Sequence, residues 1–120
     1  MRRRLLIVED SELNRDLLVQ VFENSYELAL AADGESAVEL ASTTAPDAIL
    51  MDIGLPGMSG LDSVRAIRAR SNRVPIIAVS SGVMPEERQQ ALEAGCDDFV
   101  PKPIDDMLLV ELVGRLVEQR

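Results

Sequence analysis

The chain has 120 residues, 47% hydrophobic and 28% charged, with a net charge of −9 at neutral pH. That length fits one domain with one core, and the acidic balance argues against nucleic-acid binding while suiting a cation wherever carboxylates converge. It contains no histidine, which excludes a histidine general base, a Ser-His-Asp triad and most transition-metal sites; its single cysteine, Cys96, excludes an intramolecular disulfide.

In chain order, residues 5–8 form a solid apolar run. It is too short for a signal-peptide core behind the basic start, and no run reaches the roughly 18–20 residues that span a bilayer. The expectation is a cytoplasmic protein with no membrane partner. Arg2, Arg3 and Arg4 read as a solvated lead into the first strand, too few for a nucleic-acid patch. Ser11 suits the cap of a first helix burying Leu13, Leu17, Leu18 and Val21. Residues 28–31 form a weaker strand. Asp33-Gly34 marks a turn, and Ala37, Val38, Leu40 and Ala41 mark a short second helix. Residues 48–51 are the third apolar run. Leu61, Val64 and Ile67 give a third helix with Arg65, Arg68 and Arg70 on its outer face. Residues 76–79 form a fourth strand, entered at Pro75. Residues 86–94 form a fourth helix offering Ala91, Leu92 and Ala94 to the core and ending at Gly95, a natural C′ glycine. Phe99-Val100 is a short fifth strand, and a fifth helix runs from Asp105 onward.

Five apolar strands alternating with five helices imply a parallel sheet covered on both faces. The expected α/β architecture is a flavodoxin-like, doubly wound (βα)5 fold with strand order 2-1-3-4-5. The weakly apolar second strand and Pro101 at the end of the fifth suit sheet edges. In that order ligands bind beyond the carboxyl ends of strands 1 and 3.

All five strands end on the same side, so Glu9-Asp10, Asp52, Ser80-Ser81 and Lys102 converge. An oxygen-only donor set without histidine or thiolate suits Mg²⁺, with Mn²⁺ possible in its place. A carboxylate beside such a cation can attack a phosphoryl group and become an aspartyl phosphate. The charge it gains finds partners in the metal, the Ser80 hydroxyl and the Lys102 ammonium. Gly54 lets the backbone after Asp52 offer its carbonyl to the metal, and Pro56-Gly57 fits a type II turn. Gly54, Gly57 and Gly60 do not form a dinucleotide fingerprint. Cys96, with no cationic neighbour evident, reads as structural.

The stretches "LLIVEDSELNR", "ILMDIGLPGMSG", "PIIAVSSG" and "EAGCDDFVPKP", in order and at fixed spacing, resemble the receiver domain of two-component response regulators. The resemblance covers residues 1–120 as a single receiver domain with no output domain, whether a stand-alone regulator or part of a hybrid kinase. It implies that Asp52 accepts a phosphoryl group from a histidine kinase or histidine phosphotransfer protein. It makes Glu9 and Asp10 an acidic pair, with Asp10, Asp52 and the Gly54 carbonyl as Mg²⁺ ligands. It also implies that Ser80 and Lys102 serve the phosphoryl group and that Ser80 and Phe99 act as switch residues. The Lys102–Pro103 bond is an expected cis peptide. The implied product is a phosphorelay switch rather than an enzyme, read by a downstream protein on the face of the fourth helix, fifth strand and fifth helix. The broad apolar arc of the fifth helix, which includes Val110 and Val117, predicts part of that face exposed. The alternatives are a phosphorylation-independent interaction module and an aspartyl-phosphate hydrolase. The hydrolase is disfavoured because Gly54 stands where a second acid is expected.

Overall fold

The structure, a computed structural model, describes residues 2–55, 57–81 and 85–118. The elements are β1 (Arg4–Val8), α1 (Glu12–Phe22), β2 (Glu27–Ala31), α2 (Gly34–Thr43), β3 (Ala48–Asp52), α3 (Gly60–Ala69), β4 (Ile76–Ser80), α4 (Pro85–Ala94), β5 (Asp98–Pro101) and α5 (Asp106–Glu118). The strands are all parallel, in the order β2-β1-β3-β4-β5. This is the expected topology, with Leu28, Ala29 and Leu30 on an edge strand.

Successive strand residues point to opposite faces of the sheet, and two cores result. Leu5, Ile7, Ala48, Leu50 and Ile77 pack on one face with Leu18 and Phe22 of α1 and Leu109, Leu112, Val113 and Val117 of α5. Leu6, Val8, Ile49, Met51, Ile76 and Ala78 pack on the other with residues of α2, α3 and α4. β3 and β4 are buried along their whole length, which is why they read as unbroken apolar runs.

Among the described residues, side-chain oxygens cap four helices. Ser11 accepts from the Asn14 N–H, Asp33 from the Ser36 N–H, Ser59 from the Asp62 N–H, and Asp105 from the Leu108 N–H at the start of α5. Gly95 sits at φ +119°, in the left-handed region that ends α4. Gly60 opens α3 where only a hydrogen fits: a Cβ there would lie 2.4 Å from the Asp52 carbonyl oxygen and from the Ile53 Cα. The Pro56-Gly57 turn lies partly outside the described residues. Gly57 itself has φ +70°.

Four expectations are corrected. Leu13 and Leu17 of α1 are exposed, at 69% and 50%. At 100° per residue, Leu13, Leu17, Val21, Leu18 and Phe22 span about half a turn, and the sheet takes only the Leu18–Phe22 half. Leu92 is also exposed, because it projects about 100° beyond Ala91 while Ala94 lies on the other side. Arg68 does not sit on an outer solvated face; it reaches to Gly95 and Asp97 at the far end of α4. The N-terminal arginines are tied down rather than simply solvated. Arg3 donates to the Val117 carbonyl, and Arg4 donates to the Thr44 carbonyl and pairs with Glu27. In α5, Val110 is 45% exposed while Val117 is buried, so part of the apolar arc does face outward, together with Met107 and Leu108. Cys96 is buried, and burial pushes its thiol up to about 11, in line with a structural role.

Candidate functional site

The parallel sheet delivers its strand ends to one edge. β1 is followed by Glu9 and Asp10, β3 finishes in Asp52, and β4 finishes in Ser80. The neighbouring pairing of β1 and β3 is what brings the first three acids together. Glu9, Asp10 and Asp52 each offer a carboxylate oxygen, and these three oxygens lie within 4.8 Å of one another. Two of these acids are nearly inaccessible: Glu9 is 2% exposed and Asp52 6%.

Lys102, just after β5, compensates part of this charge. Its Nζ lies 3.0 Å from Glu9 Oε1 and 3.5 Å from Asp52 Oδ2. Its backbone N–H donates to the Ser80 carbonyl at 2.7 Å, which fixes the chain between β4 and the lysine. The Lys102–Pro103 bond is cis. Burial alone would lower the Lys102 ammonium. The Glu9 hydrogen bond and the charges of Asp52 and Glu9 outweigh it, and the group is raised above its ordinary value. Glu9 is raised chiefly by burial, with Asp52 adding to the rise and the Ser11 N–H and Lys102 opposing it.

Both Glu9 oxygens are engaged, Oε1 by Lys102 and Oε2 by the Ser11 N–H at 3.1 Å. Asp52 Oδ1 accepts from the Gly54 N–H at 2.9 Å, so the loop after β3 folds back over the carboxylate. Asp10 is exposed at the mouth of the cluster. Three carboxylates against one ammonium leave a local excess of negative charge with oxygen donors only. That is the chemistry of a site for a hard divalent cation, and the residues present fit Mg²⁺ or Mn²⁺.

Ser80 is buried at the same edge, but its hydroxyl is turned toward α4 and donates to Glu87 Oε2 at 2.9 Å. Phe99 is half-buried, packs against the core under α2, α3 and α4, and lies beside Ala78 in register. Beside the acidic cluster a groove runs between α1 and the start of α5, lined by Leu17, Leu18, Val21, Pro103 and Ile104.

Sequence reasoning missed two residues here. Arg15 donates from Nη1 to the Glu9 carbonyl at 2.9 Å and braces the loop that carries the acids. Its place one turn after the Ser11 cap was an available signal. Glu87 is the other, and it left no such signal. Its contact with Ser80 depends on how α4 is rotated, which its sparse apolar pattern does not fix.

A family model described as the response regulator receiver domain matches residues 5–114. The transcriptional regulatory protein PrrA of Mycobacterium tuberculosis is 37% identical over 114 residues, covering 95% of this chain and 48% of PrrA. The response regulator PleD of Caulobacter vibrioides is 35% identical over 119 residues, covering 97% of this chain and 26% of PleD. The chain thus spans about half the length of PrrA and less of PleD. Among solved structures, the receiver domain of the Pseudomonas aeruginosa sensor histidine kinase PA1611 aligns with a TM-score of 0.90 and 35% identity, covering 98% of this chain and 99% of that one. That structure holds a magnesium ion in its active-site cleft. The Vibrio cholerae chemotaxis protein CheY4 aligns with a TM-score of 0.90 at 28% identity, covering 97% of this chain and 99% of that one.

Proposed function

The chain belongs to the response regulator receiver domain family, and from that premise we propose that it is a phosphoacceptor signalling switch whose acceptor is Asp52. The observation that carries this reading is the convergence of Glu9, Asp10 and Asp52 within 4.8 Å, with the Lys102 ammonium against two of them.

The donor is a phosphohistidine of a histidine kinase or histidine phosphotransfer protein. The 120 residues contain no histidine, so the phosphohistidine lies outside this domain. An Asp52 carboxylate oxygen attacks phosphorus. The new P–O bond forms as the P–N bond breaks, and the departing imidazole nitrogen keeps the electron pair and takes up a proton. The Gly54 N–H on Oδ1 and the Lys102 ammonium near Oδ2 hold the carboxylate in place. Lys102 then lies within reach of the oxygens that carry the transferred charge. Asp10, Asp52 and the Gly54 carbonyl would hold Mg²⁺, with Glu9 kept beside them by Lys102 and Ser11. Mg²⁺ bound there would supply positive charge against the phosphoryl oxygens. Water attack on phosphorus, with the Asp52 carboxylate as leaving group, returns the domain to its starting state.

The signal leaves through Ser80 and Phe99. Phosphoryl charge draws the Ser80 hydroxyl, Phe99 repositions, and the face of α4, β5 and α5 changes its affinity for a downstream protein by population shift. On α5, Met107 and Val110 are exposed about 60° apart and offer a small apolar patch. The groove between α1 and the start of α5, lined by Asn14, Gln20 and Asp106 as well as its apolar side chains, gives an approach for the donor beside the acceptor.

The test is incubation with acetyl phosphate and Mg²⁺, followed by intact-mass measurement. The wild type should gain the mass of one phosphoryl group and Asp52→Asn should gain none. No gain in the wild type, or equal gain in both, overturns the proposal.

A further inference from the structure

The two ends of α4 are attached differently. Its buried side chains, Ala91 and Ala94, both lie in its second half. The end of that half is gripped by Arg68 of α3. The Arg68 Nε and Nη2 donate to the Gly95 carbonyl at 3.0 and 2.9 Å, and Nη2 also reaches Asp97 Oδ2 at 3.1 Å. Its Nη1 donates to the carbonyls of Asn72 and Val74 at 2.8 and 2.7 Å, so the grip is itself anchored. In the first half, Pro85, Glu86, Arg88, Gln89 and Gln90 are exposed. Among the described residues, the side-chain hydrogen bond joining this half to the sheet runs from Ser80 Oγ to Glu87 Oε2, at 2.9 Å.

A hydroxyl has one proton to donate. While Glu87 accepts it, Ser80 cannot donate to an oxygen at Asp52. A phosphoryl group there adds about −1.5 to −2 charge and strong acceptors, and it competes with the Glu87 carboxylate for the same proton. We propose that Glu87 is a positioning residue that holds the Ser80 hydroxyl on the α4 side. Capture of that hydroxyl by the phosphoryl group then releases the first half of α4, while Arg68 keeps the second half pinned. The region freed is residues 85–90. Among the described residues that half has no buried apolar anchor of its own, so it is the more easily released. This inference rests on the reading of Asp52 as the phosphoryl acceptor, and it adds the lever through which that event reaches the surface.

The experiment titrates beryllofluoride with Mg²⁺, a mimic of the bound phosphoryl group, and follows amide chemical shifts. Glu87→Ala should bind the mimic about fivefold more tightly, the effect of removing a competing hydrogen bond of ordinary net strength. Glu87→Gln, whose amide oxygen still accepts, should tighten binding less than Glu87→Ala. In a Ser80→Ala background, Glu87→Ala should bring no gain. Without the mimic, Glu87→Ala should speed amide hydrogen exchange at residues 87–90 and leave 91–94 unchanged. The proposal is overturned by unchanged affinity in Glu87→Ala, by a gain that persists in Ser80→Ala, by Glu87→Gln matching Glu87→Ala, or by unchanged exchange at 87–90. Failure of the wild type to bind the mimic refutes the phosphoacceptor reading instead, and the exchange measurement still decides whether Glu87 holds α4.

Discussion

At the scale of residues, charge balance decides what the site does. Glu9 and Asp52 are buried, and carboxylates are costly to bury unless they are compensated. One lysine compensates two of three acids, which leaves the cluster short of positive charge. Lys102→Met should therefore split two properties that a merely structural lysine would move together. Mg²⁺ should bind roughly fivefold more tightly, because a competing cation a few ångström away has gone, with the gain limited by solvent screening. Labelling by acetyl phosphate should slow by about tenfold or more, because the transferred charge loses its partner. Calorimetric titration with Mg²⁺ and a labelling time course measure the two, and weaker Mg²⁺ binding in the variant would contradict the account. Glu9, Asp10, Asp52 and Lys102 were legible in the sequence because each stands at or just beyond the end of a strand, where a parallel sheet gathers side chains. Arg15 carried a signal in its place one turn after the Ser11 cap, whereas Glu87 carried none, since its contact depends on how far α4 is turned about its own axis.

At the scale of elements, the apolar pattern gave the existence and order of the helices more reliably than the face each buries. α1 carries apolar residues over about half a turn, and only contact with the sheet selects the Leu18–Phe22 half. Leu18→Ala should therefore cost about 2–4 kcal/mol of unfolding free energy, a cavity in a packed core. Leu13→Ala should cost no more than about 0.5 kcal/mol, as at other exposed positions. Urea denaturation of the two variants checks this, and equal losses would place the helix in the wrong rotation. Arg68 shows the complementary failure. It follows the spacing of a solvated helix face, yet its guanidinium spans from α3 to the end of α4 and joins three carbonyls from two segments, the loop before β4 and the end of α4. A long side chain that crosses between elements leaves no periodic trace. The helix caps, by contrast, depend on residues three apart, and Ser11 was readable for that reason.

At the scale of the whole molecule, rigidity and freedom are separated. β3 and β4 are buried at every residue and carry Asp52 and Ser80 on fixed strand ends. α4, with two buried alanines, is the weakly held element beside them. A charge added at Asp52 thus meets a stiff sheet on one side and a loosely attached helix on the other, and the helix is where a response costs least. The acidic chain, at −9 overall, suits a site that gathers a divalent cation. The central claim is that the transferred phosphoryl group resides on Asp52. Borohydride reduction of the acetyl phosphate-treated protein converts an acyl phosphate to the corresponding alcohol, and peptide mass mapping then locates it. The account predicts a single modified side chain, at Asp52, formed only with Mg²⁺ present. Modification at Glu9, Asp10 or another carboxylate with Asp52 intact would contradict it.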